Sequence, residues 1–319
     1  MPSEFLPFTG NSSVGQRTAF GTWLPPGSRV AAYVGPQSES TDAYSSSSLL
    51  VPTLAAGLAR CRAGKGDVVA VLPGHTETVS TTTMLDNLVA GTQIIGCAPF
   101  GSGLMPAFTF SGTTTTSSWA LNDANVTVKG LKFNLNGADS IDAPILISAD
   151  SVLLVENVFN CGTDTALDCD VPVSVLTGAT NCRIVNNDFI TTGTAVNTNI
   201  ILVSGTGVNG FQIIGNYIHG NCASNGLINL TGTAVGFRIA YNTLHNVSGT
   251  SPTGIAHADT ALVGVIHDNR IAFTTDITVL TGAISAAGVA TASVRSISNF
   301  ACDEDSLGGV LAPTATGLE

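Results

Sequence analysis

The sequence predicts an all-β protein, a right-handed parallel β-helix wound from coils of about 27 residues behind an N-terminal arm and a capping helix. Three observations predict it. An eight-residue apolar pattern with Asn near its end recurs along the chain. A shorter pattern closed by Gly recurs in phase with it. Charged residues make up only 10% of the chain, against about 25% in ordinary globular domains.

The first pattern aligns Val126–Phe133 (VTVKGLKF), Val152–Phe159 (VLLVENVF), Cys182–Phe189 (CRIVNNDF), Phe211–Ile218 (FQIIGNYI), Phe237–Leu244 (FRIAYNTL) and Gly264–Ile271 (GVIHDNRI). Asn157, Asn187, Asn216, Asn242 and Asn269 share its sixth place, which Leu131 holds in the first copy. Successive steps along this row are 26, 30, 29, 26 and 27. In the second pattern Gly178, Gly205, Gly232 and then Asp259 are evenly spaced, at the same step that separates Asn242 from Asn269. A fixed period of this length marks a solenoid, whose units bury their apolar faces only by stacking. Stacked coils lie about 4.8 Å apart, so equivalent side chains form rows. Branched apolar rows are expected inside. The Asn row is expected to form a hydrogen-bonded ladder at a turn, where Asn also tolerates left-handed backbone. The Gly row is expected at a corner where a Cβ would clash. A leucine-rich repeat lacks its Leu consensus here, and a propeller blade needs a longer period.

Ahead of the coils, Leu50, Leu54, Leu58 and Cys61 form one apolar stripe, which predicts a helix capped by Ser48 and stopped by Gly64. Gly66–Gly74 (GDVVAVLPG) then predicts a strand and a Pro-Gly turn. The expected division is an arm over 1–48 for attachment or oligomer contact, the capping helix and β-helix over 49–302, and a tail over 303–319. Asp303, Glu304 and Asp305 are expected to form a solvated acidic end.

A net charge of −11 argues against nucleic acid and against an anionic membrane surface as partners. MPSEFLPFTG has no basic region followed by an apolar one, and no apolar run reaches about 20 residues. No signal peptide and no spanning helix are expected. Seven cysteines without a CxxC pair predict reduced thiols acting as small hydrophobes.

Candidate chemistry is sparse. Glu156 and Asp188 flank ladder positions on neighbouring coils and are the one pair expected to offer two outward carboxylates, as glycoside hydrolysis needs. Asp164, Asp168 and Asp170 share a loop and are oxygen ligands of the kind Ca²⁺ takes, though at no recognised calcium-loop spacing. His219 and His245 are expected to stack on adjacent coils without a third metal ligand. Arg183 and Arg238 share an outward row interrupted by Gln212. No cofactor is expected.

Four stretches stand out within residues 50–135: Leu54–Val79 (LAAGLARCRAGKGDVVAVLPGHTETV), Val89–Gly96, Pro106–Phe110 and Ala124–Phe133. Together they resemble a family of tailed-bacteriophage and prophage virion proteins with a β-helix. The most specific part of the resemblance is Gly66-Asp67 followed by Leu72-Pro73-Gly74-His75 and Glu77. The resemblance implies a virion structural protein made in the host cytoplasm. It further implies a homotrimeric decoration protein bound to the major capsid protein through its N-terminal region. The alternatives are a tailspike or tail-fibre protein binding or cleaving host surface glycan, and a polysaccharide lyase or epimerase.

Overall fold

A computed structural model describes residues 29–35, 49–112, 117–136, 142–164, 167–222, 226–249, 252–257, 261–274, 283–286, 293–302 and 308–310. Over these residues the chain is a parallel β-solenoid of three sheets. One regular coil contributes Thr127–Lys129 to the first sheet, Lys132–Asn134 to the second and Ile145–Ile147 to the third. The next contributes Leu153–Val155, Val158–Asp164 and Val173–Val175. The third sheet holds seven strands, from Trp119–Leu121 to Ile284–Ala286. About seven coils of about 28 residues therefore complete all three sides.

Coil stacks on coil in parallel register: Leu153 pairs with Thr127 on one side and Arg183 on the other. On the first two sheets the middle residue of each short strand points inward. Val128, Leu154, Ile184, Ile213 and Ile239 form one interior row, and Phe133, Phe159, Phe189, Ile218 and Leu244 another. The rings of Phe159 and Phe189 stack at 4.4 Å with 6° between their planes. Trp119, the first residue of the third sheet, is fully buried edge-on to Phe108 and Phe133.

The structure alters the expected N-terminal end. The helix spans only Leu54–Leu58, and Thr53 caps it by accepting from the Ala56 N–H. Leu50–Val51 is instead a strand alongside Val30–Val34. A single helical turn is marginal alone, and this one persists because Leu54 and Leu58 are buried against the open end of the core. Gly64 lies beyond the helix with φ +69° and donates to the Ala90 carbonyl, so it turns the chain into the first coil. Ser48 lies outside the described residues.

The expected arm is not all arm. Val30–Val34 (VAAYV) runs parallel to Val68–Val71 and adds a rung to the first sheet. The expected tail likewise includes Gly308–Val310, antiparallel to Phe300–Cys302. Residues 1–28, 36–48, 303–307 and 311–319 lie outside the described residues, as does Asp259. Among the described residues no helix is long and apolar enough to cross a membrane.

Candidate functional site

The Asn ladder runs through the buried corner between the first two sheets. In each rung the Oδ1 of one Asn accepts from the backbone N–H and the amide of the Asn one coil earlier. Asn187 donates to Asn216 through both groups at 3.0 Å, and Asn216 donates to Asn242 at 2.9 and 3.0 Å. The same amides donate to backbone carbonyls such as Leu154 and Ile184. The ladder starts where the Leu131 N–H donates to Asn157 and extends one rung past the five expected residues, to Asn299. Sequence reading missed Asn299 because Ser296 and Ala301 stand where the repeat has large apolar residues.

The ladder Asn residues do not themselves take the left-handed conformation expected of them. The residue before each one does: Glu156, Asn186, Gly215, Tyr241, Asp268 and Ser298 all have φ between +52° and +67°. That residue turns the chain and aims the next side chain inward. At the other corner, a Cβ on Gly232 would sit 2.1 Å from the Gly205 carbonyl oxygen, and one on Gly205 would collide with the Leu176–Thr177 peptide. Close approach requires glycine there, whereas Gly178 has φ +95° as well.

Glu156 and Asp188 lie in different rows of neighbouring coils. Glu156 sits at the left-handed corner level with Asn186, and Lys129 Nζ lies 3.1 Å from its Oε2. Asp188 is level with Val158 on the second sheet, with the buried Asn187 between the two rows. Burial raises the Asp188 carboxyl above the usual range. Asp168 lies in a two-residue strand antiparallel to the end of Val158–Asp164, opposite Gly162, and Asp164 lies opposite Leu167. The Asp170 carbonyl accepts from Thr198 and Asn199. Among the described residues no group of three His, Cys, Asp or Glu side chains is placed to hold a metal ion. His219 and His245 stack at 4.9 Å; partial burial, then the neighbouring imidazole, lowers the pKa of His219. All seven cysteines are free thiols, and burial pushes Cys97 up to about 12.

The structure also assembles two side-chain clusters that the sequence patterns did not bring together. At the N-terminal end, the buried Asp67 carboxylate receives Arg29 at 2.9 Å, Arg62 at 2.8 and 2.9 Å and the Arg62 N–H at 3.0 Å. Hydrogen bonds from Arg62, then from Arg29, hold its pKa at about 2 despite burial. Beside it, Glu77 accepts from the Leu54 N–H at the start of the helix and lies 3.1 Å from His75 Nε2.

No family model matches the chain, and no curated protein matches it in sequence. The second cluster lies on the outer surface of the later coils. Arg238 Nε donates to His267 Nε2 at 2.8 Å, which leaves the ring proton on Nδ1 to reach Asp268 at 2.7 Å. The Tyr241 ring stands edge-on to His267 at 5.2 Å, with the Arg238 guanidinium 5.6 Å from its centre. The signal for this cluster was the coil period itself, since Ala240 and His267 are in register.

Proposed function

We propose that the chain is a structural protein of a bacteriophage virion, a homotrimer seated on the head through its N-terminal region. One observation carries this reading. The string that resembles the phage family is the part that closes the N-terminal end of the solenoid. Asp67 gathers Arg29 and Arg62, and Glu77 ties the capping helix to the second sheet. The resemblance thus rests on residues with a definite mechanical task, finishing one end of a stiff rod. Mass spectrometry of purified particles tests it: many copies per virion are expected, and absence from the particle overturns it. Native mass spectrometry of the isolated protein tests the trimer, which a monomer would exclude.

A tailspike or tail-fibre protein that holds host glycan is the second reading. It is favoured by Tyr217, Tyr241 and Phe300, exposed around Thr243, Asp268 and Arg270 on the last coils. Such rings offer flat apolar faces beside polar groups.

A further inference from the structure

Among the described residues the first sheet has eleven strands and none of them contains Asp or Glu, in a chain with 22 acidic residues against 11 Lys and Arg. The outer face of this sheet carries Arg183, Arg238 and Arg295 instead. Register sets Arg183 beside Gln212, Gln212 beside Arg238, Arg238 beside Val265 and Val265 beside Arg295. An arginine therefore returns on every second coil, about 10 Å from the last at the usual strand spacing. Among the described residues none of the three has a carboxylate within ion-pair distance.

Carboxylates at the rim are engaged elsewhere. Glu156 meets Lys129, Asp268 meets His267, and Asp150 accepts from Asn181 at 3.1 Å and from Thr180 and Ser151. Arg238 is held in place by His267 and Tyr241. Alongside the arginines runs a second outward row, the half-buried Val155, Val185 and Ile214, also in register. Shallow grooves follow the arginine row, one over Thr127, Leu153, Arg183 and Gln212 and another over Arg238, Val265 and Arg295.

We propose that this face binds a linear acidic polysaccharide whose carboxylates recur on alternate sugars. Guanidinium groups in one line call for a linear polyanion, and their planar forks match carboxylates. Their spacing is close to the length of a disaccharide, so alternate rings present their acids in step. The apolar row suits the C–H faces of the rings between. A duplex nucleic acid carries a charge about every 1.7 Å, a density that three arginines cannot balance on a chain of net charge −11. A second copy meeting this face with the same face would bring the same arginines and no acid from the sheet to meet them. The proposal stands on the surface alone, so its failure leaves the virion reading intact, and the reverse holds too.

Isothermal titration of the full chain at low salt tests it. The probes are hyaluronan and unsulfated chondroitin oligosaccharides long enough to span the row, with chitin oligosaccharide of equal length and single-stranded DNA as controls. Both acidic sugars are expected to bind and chitin is not. Combined R183Q, R238Q and R295Q should weaken binding at least tenfold with an unchanged melting temperature, and the corresponding triple Lys variant should recover part of it. The proposal is overturned if neither acidic sugar binds, if the triple Gln variant binds as well as the parent while folded, or if chitin or DNA binds as tightly.

Discussion

At the residue scale, the ladder Asn residues act through acceptors that no other group supplies. Replacing Asn216 by Leu leaves the buried Asn187 N–H without its acceptor and takes one from the Asn187 amide. Each unmet buried group costs about 1–3 kcal/mol, so Asn216→Leu should lose about 3 kcal/mol in urea unfolding. Asn157→Leu should cost less, because among the described residues Asn157 Oδ1 accepts the Leu131 N–H and no ladder amide. Leu131 shows why the ladder begins with an apolar residue: no earlier Asn needs an acceptor from it.

Asp67 behaves oppositely to an exposed acid. Its pKa of about 2 lies below the ordinary 3.8, so the folded state favours the carboxylate. That stabilisation is complete above about pH 4 and is lost as pH falls towards 2. Asp67→Asn should cost about 2 kcal/mol at pH 7, because both guanidinium groups still reach water. The difference between Asp67→Asn and the parent should vanish near pH 2 in a pH series of denaturation curves. His257 shows the reverse preference in the core. It is level with Leu230 in an interior row, its Nδ1 has no partner among the described residues, and burial lowers its pKa. The fold therefore favours neutral His257 and loses stability as pH drops below about 6.5. His257→Leu should gain about 1 kcal/mol by removing an orphaned buried group. It should also flatten the parent's loss of stability between pH 7 and 5, and an unchanged acid limb would contradict this.

At the element scale, the capping helix is five residues long and owes its place to side chains outside it. The Glu77 carboxylate holds the Leu54 N–H, a charged acceptor at a helix start. Glu77→Gln keeps the shape and weakens that bond, so a loss of about 1 kcal/mol is expected. It should appear as faster amide exchange at Leu54 and Ala56. Exchange unchanged at both amides would show that packing alone holds the helix. The apolar stripe from Leu50 to Cys61 overstated the helix for a clear physical reason. Leu50 and Val51 satisfy the same burial requirement as a strand on Val30–Val34, and that partner lies in a segment whose local composition reads as an arm.

At the scale of the whole molecule, each coil touches only its neighbours, so protection should fall from the middle towards the ends. Hydrogen exchange is expected to be slowest in Leu153–Val155, Arg183–Val185 and Gln212–Ile214, flanked by ladder on both sides, and faster in Phe300–Cys302. Uniform protection would indicate a single cooperative unit. The sequence by itself determined the period, the interior rows and the five central ladder Asn residues, because a stacked fold repeats its local requirements at a fixed spacing. Only the tertiary structure decided how residues from different coils meet across that spacing. Arg238 reaches His267, and Asp67 draws in Arg29 and Arg62. Glu156 meets Lys129 one coil earlier. These outcomes depend on register and on the left-handed residue before each ladder Asn. Register decides which long polar side chains of neighbouring coils come within reach of each other, and no local pattern in the chain records those meetings.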